Sequence, residues 1–163
     1  MSSASVPQSA FQEVRACNRP RIRGKDSPAR TDGCFALINQ LVDKLEKVSA
    51  ATGKQDWAGA QGILRDALAR DSRNADYHNL LAYAIRHEAN PDMDTVFKHY
   101  GEALRIDPKH RGAHEYIGEA YLMTGNVAKA REHLAALDKL CVFSCEEYRD
   151  LKKAIERFEA QKK

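Results

Sequence analysis

Two cysteines four residues apart, Cys141 and Cys145, and two histidines at the same spacing, His110 and His114, are the groups in this chain best placed to do chemistry. Ser144 followed by Glu147 reads as a capping box, so one helix is expected to end near Cys141 and another to begin at Cys145. Thiols on either side of such a corner can come within disulfide distance, and closing so short a loop contributes about 2 kcal/mol in the chain-entropy picture. Three chemistries stay open for the pair: a structural bridge, ordinary reduced thiols, or redox cycling. A helix N-terminus lowers the pKa of Cys145 and favours the last, whereas Glu146 and Glu147 oppose that shift.

The histidines are weaker candidates. Spacing of i, i+4 can hold a metal, but HExxH is missing, no cysteine lies nearby in sequence, and Pro108 places His110 in a turn outside the helix. His78, His110 and His114 are therefore read as partly exposed structural histidines, and neither a metal nor any other cofactor is expected. No GxSxG, P-loop or GxGxxG occurs, and no strand pattern would support one, so catalysis is not expected.

The elements that must position these groups are helices in a repeat. Between Asn74 and Ser144 the chain says nearly the same thing twice, with a period in the mid-thirties, which encodes one helical hairpin per copy. Leu81, Ala82, Ile85, Val96, Tyr100, Ala103 and Pro108 in the first copy answer Ile117, Gly118, Tyr121, Gly125, Ala130 and Leu134 in the second, given a two-residue insertion near Asn90 and Pro91. Ala82 and Gly118 are small so that the first helix of each hairpin approaches the second, Tyr100 and Tyr121 fill the space between hairpins, and Pro108 ends its helix. A worn third copy precedes them. Phe35, Leu37, Ile38, Leu41, Val42, Leu45 and Val48 recur at helical steps, and Ala60, Leu64 and Ala67 keep the second-helix positions. From Cys145 to Gln161, Tyr148, Leu151, Ile155 and Phe158 form one apolar stripe, as a helix covering the open end of a stack would. A helix that docks a partner would carry a similar stripe.

These motif positions resemble the tetratricopeptide repeat (TPR) pattern over residues 46–163. The run from Ala130 to Ile155, with its CxxxCEEY segment, is most similar to a small group of exported bacterial TPR proteins. The resemblance implies an all-α fold: a right-handed superhelical array of about three hairpins plus a C-terminal capping helix. It also implies a concave face for a partner protein or peptide, and no catalysis. The implied layout is a leader over 1–33 and a TPR domain over 34–163, with a degenerate repeat at about 35–73, repeats at about 75–110 and 111–144, and the capping helix at 145–161. In this register the concave face takes Asn79, Tyr83, Arg86 and His87 from one copy and Glu115, Glu119, Leu122 and Met123 from the next. The carboxylate clamp of some TPR proteins is disfavoured, because Leu80, Gly112 and Tyr116 stand where Asn, Lys and Arg are wanted.

Charge separates the leader from the repeats. Up to Cys34 the chain holds six of its 26 basic residues and three of its 23 acidic ones, which leaves 20 of each for the remainder. All the excess positive charge thus belongs to a Ser-, Pro- and Arg-rich leader that reads as disordered, and its cluster from Arg19 to Arg23 reads as a solvated tail, with no nucleic-acid partner expected. Nothing before Cys34 supplies the apolar core of a secretory signal, and no run reaches the roughly 20 apolar residues of a membrane span. The chain as given is expected to be cytoplasmic, the exported resemblance implies the periplasm, and the Arg-rich leader loosely fits an organelle transit peptide. The functional expectation is a non-catalytic interaction or assembly module, as monomer or weak homodimer, that binds a protein or peptide on the concave face. The alternative is a redox-linked accessory using Cys141 and Cys145.

Overall fold

A computed structural model of the chain describes residues 51, 54–141 and 144–161. The leader, the helix expected over 35–48, Cys17 and Cys34 lie outside the described residues. Among the described residues, six α-helices follow one another: α1 (Trp57–Arg70), α2 (Ala75–Arg86), α3 (Met93–Ile106), α4 (Arg111–Met123), α5 (Val127–Leu140) and α6 (Glu146–Ala160). The described residues contain no strand.

Local sequence sets each boundary. Side chains of Asp56, Asn74, Asp92 and Asn126 accept backbone N–H groups in the first turns of α1, α2, α3 and α5. His110 does the same for α4, its Nδ1 accepting from the Ala113 N–H at 3.1 Å. Ahead of Pro108, Asp107 is extended and ends α3. At the end of α4, Gly125 takes φ +78°; its N–H meets the Leu122 carbonyl at 2.9 Å and the Asn126 N–H meets that of Tyr121 at 2.8 Å. That is a Schellman close, and its left-handed residue is the glycine of the repeat pattern. The corresponding α2–α3 connection, residues 87–92, is longer than residues 124–126, which locates the insertion in a loop.

The capping box expected at Ser144 does not form. Cys145 is the N-cap of α6 and makes no side-chain cap bond, while Ser144 sits at φ 26°. Cys145 Sγ is bonded to Cys141, with Cα atoms 5.6 Å apart, and this tie fixes the corner without the serine hydroxyl. The Ser144 carbonyl instead accepts from Arg149 Nη1 at 2.8 Å.

Consecutive helices pack in hairpins, and α2, α4 and α6 also touch their counterparts one hairpin along. The helices α1, α3 and α5 make no comparable contact with one another. The closer-spaced row is the inside of a curved stack, so α2, α4 and α6 line the concave side. One core joins Leu64, Leu81, Ile85, Val96, Tyr100 and Ile117; a second joins Leu122, Ala130, Leu137, Leu151 and Ile155. Tyr121 packs against both and stacks on Phe97 with centroids 4.6 Å apart, so it fills the space between hairpins as the repeat pattern requires.

Gly118 has a different neighbour from the one expected. A Cβ on it would lie 2.7 Å from both Cδ atoms of Leu151, so its smallness admits α6 rather than the paired helix α5. The buried Leu151 and Ile155, flanked by Tyr148 and Phe158, seat α6 on the end of the stack. Arg131 and Glu159 join α5 to α6 at 2.5 Å on the surface.

Candidate protein-binding face

Helical spacing puts Asn79, Tyr83 and Arg86 on one side of α2, and Tyr116, Glu119 and Met123 on the facing side of α4. Arg86 is the hinge of this arrangement. Its Nη2 donates to Glu119 Oε2 at 2.8 Å, and its Nη1 lies 4.0 Å from Met123 Sδ. The same guanidinium stands 5.5 Å from the Tyr83 ring centroid and 5.9 Å from that of Tyr116. This geometry supports cation–π attraction around a largely desolvated guanidinium.

An aromatic strip continues from there. Tyr83 lies 4.9 Å from Tyr116 and 4.1 Å from His87, and His87 lies 4.8 Å from Trp57 at the start of α1. His87 Nδ1 pairs with the Tyr83 carbonyl at 2.8 Å, which holds the imidazole against its neighbours. Burial lowers the His87 pKa, with the Arg86 charge acting in the same direction. Burial also raises the phenol pKa of Tyr83 and Tyr116, so both hydroxyls stay neutral across the working range. Met123, against Arg86, is 54% exposed, the one large hydrophobic exposed among the described residues.

Of the residues expected on this face, Tyr83, His87, Glu119 and Met123 are accessible, and Arg86 is buried beneath them. Leu122 is not on it: it belongs to the second core with Leu137, Leu151 and Ile155, because its position one turn from Gly118 faces α6. Asn79 is buried, with Nδ2 packed toward Gly112 and Oδ1 lacking a hydrogen-bond partner among the described residues. Trp57 and Tyr116 complete the strip and were not among the expected site residues. Trp57 belongs to the worn repeat, where the register was hardest to assign.

Glu115 is 7% exposed and has no hydrogen bond or ion pair among the described residues. Its pKa is pushed up to about 8, first by burial and then by the carboxylates of Glu119, Asp150 and Glu147. Each of those three has a cation: Glu119 has Arg86, Glu147 has Arg111 at 3.5 Å, and Asp150 has Lys153 at 3.8 Å.

The histidines pair off away from this face. His78 Nδ1 meets His99 Nδ1 at 2.9 Å, and one repeat later His114 Nδ1 meets His133 Nδ1 at 2.9 Å. In each pair the first ring's Nε2 meets a carbonyl at 3.1 Å, that of Ser72 or Pro108. A carbonyl only accepts, so that Nε2 carries the proton and the second ring donates from Nδ1. His110 Nε2 meets Asp76 Oδ1 at 3.0 Å, tying the start of α4 to the start of α2. The described residues contain no group of three or more His, Cys, Asp or Glu arranged to hold a metal, and no helix among them is long and apolar enough to cross a membrane.

A tetratricopeptide repeat family model matches residues 89–155, from the α2–α3 turn into α6. No curated protein matches the chain. Tetratricopeptide repeats generally mediate protein–protein interaction, and the family is typically a non-enzymatic interaction module.

Proposed function

We propose that the chain is a non-catalytic interaction module whose α2–α4–α6 face takes an extended segment of a partner protein. The observation that carries this reading is the continuous strip of Trp57, His87, Tyr83 and Tyr116, with the exposed Met123 on the far side of Arg86. Such a strip offers flat apolar anchors, and the accessible Glu119 beside it offers a polar one. This combination suits a peptide held by a few side chains. The Cys141–Cys145 pair adds nothing to a redox role, since Glu146 and Glu147 in the first turn of α6 disfavour a thiolate at Cys145.

Charge reversal at Arg86 is a poor test, because Arg86 is buried in an ion pair and its loss would unsettle the fold. Met123→Asp and His87→Asp alter exposed atoms on the same face. Affinity capture with the full chain is expected to recover a partner that both variants lose, with thermal unfolding unchanged. Undiminished capture by both variants would remove this face from the reading.

A further inference from the structure

The inner face carries an unbalanced carboxyl group. Three carboxylates, Glu119, Glu147 and Asp150, act on Glu115 where α4 meets α6 and α2. Arg86, Arg111 and Lys153 serve those three, and Glu115 is left over. Glu115 is 7% exposed and has no hydrogen bond or ion pair among the described residues, so the Arg86 charge offsets its burial only in part. On the neighbouring helix α2, Asn79 Oδ1 is buried without a hydrogen-bond partner among the described residues, and the Asn79 amide packs toward Gly112, the i, i+3 neighbour of Glu115 on α4. Both groups accept hydrogen bonds, so a donor is the complement that suits them.

We propose that the partner segment is cationic, and that one of its lysine or arginine side chains enters between α4 and α6 to pair with Glu115, completing a fourth ion pair beside Glu119, Glu147 and Asp150. The inference rests on the proposed function and names the chemistry of the partner. The charge count selects a cation over an anion: an acidic side chain would meet four carboxyl groups. A lysine or arginine also donates several N–H groups, enough to reach the Asn79 carbonyl or a second carboxylate as well.

The pairing has a proton signature. Free Glu115 keeps its proton at neutral pH, and an arriving cation favours the carboxylate, so the proton leaves to solvent on binding. Affinity therefore rises between pH 6 and 8.5.

The test is a selection of random twelve-residue display peptides on the full chain, followed by calorimetry of the enriched peptides in two buffers of different ionisation enthalpy. The expected result is a shared Lys or Arg in the enriched peptides, with proton release near pH 7. Glu115→Gln, which keeps the shape of the protonated acid, is expected to weaken them about tenfold at pH 8.5 and to abolish the proton release. Enriched peptides that lose affinity on Met123→Asp but share no basic residue, or ignore Glu115→Gln, overturn the inference and leave the proposed face standing. Peptides indifferent to Met123→Asp, or no enrichment at all, overturn both.

Discussion

Arg86 on α2 and Glu119 on α4, 33 residues apart in sequence, meet at 2.8 Å with the arginine side chain 7% exposed and the glutamate 28%. The pair joins equivalent helices of successive hairpins, which makes it part of the stacking of the array. Among the described residues, neither the Tyr100 hydroxyl nor Arg86 Nε, both buried, has a hydrogen-bond partner. A buried cation with spare donors depends heavily on its one carboxylate.

Glu119→Gln should therefore cost more than its modest change in shape suggests. Removing one member of a fully buried pair costs 3–5 kcal/mol, and the partial exposure of Glu119 reduces this to about 2 kcal/mol. The double variant Arg86→Met, Glu119→Gln should recover much of the loss, since an apolar residue of similar length leaves no charge to compensate. Urea unfolding of the parent, both single variants and the double variant measures this, and a double-variant loss equal to the sum of the single losses would show that the two side chains are not coupled.

The paired histidines give the fold an acid-sensitive component. Burial, and then the neighbouring His114, push His133 down to about 4, with Lys129 acting in the same sense and Glu132 against it. Unfolded, the imidazole takes up its proton near 6.5. Between those values the unfolded chain binds more protons, so stability is fully present above about pH 6.5 and falls as pH drops toward 4. The loss assigned to His133 is about 2 kcal/mol once solvent screening is allowed for. His133→Phe keeps a ring against Tyr121, 5.7 Å away in the parent, and should flatten this part of the pH profile. Some slope will remain from His99, whose pKa is lowered by burial and by His78. Unfolding free energies at pH 4.5 and 7.5 provide the check, and an unchanged slope in the variant would reassign the acid sensitivity elsewhere.

What the sequence made legible followed its periodicities. Helical spacing announced the hairpins, Gly125 and Pro108 their ends, and the stripe Tyr148, Leu151, Ile155 and Phe158 the last helix. Contacts between helices far apart in sequence were harder to read. Period alone says that Gly118 must be small; it does not say whether the neighbour that requires this lies on α5 or on α6. Leu122 failed for the same reason, because a residue on the inner row of a middle hairpin becomes core once another helix covers it. The His–His pairs depend on a second-helix partner whose spacing differs between repeats, 21 residues in one and 19 in the other, so no fixed motif announces them. That Glu115 has no ion pair among the described residues could be recognised only after Arg86, Arg111 and Lys153 had been assigned to other acids.

The contact between Gly118 and Leu151 gives a test of how the stack is closed. Gly118→Ala places a methyl group 2.7 Å from both Cδ atoms of a leucine that is fully buried, with Cγ at 3.3 Å, so the leucine cannot simply swing away into solvent. Overpacking of this kind costs about 1–3 kcal/mol. Leu151→Ala alone leaves a cavity and costs about 2–5 kcal/mol, yet in the double variant the new methyl enters the space that the leucine vacated. The double variant should therefore be less destabilised than the sum of the two, and simple additivity would show that the helices do not meet at this point. In a stack whose units touch only their neighbours, the damage should also be local. Hydrogen exchange is expected to speed up in α6 and in the α5 face beneath it, while α2 and α3, joined through Tyr100, Val96 and Leu81, keep their protection. The Cys141–Cys145 bond holds α6 nearby without restoring its packing. Gly118→Ala should therefore loosen the helix even under oxidising conditions.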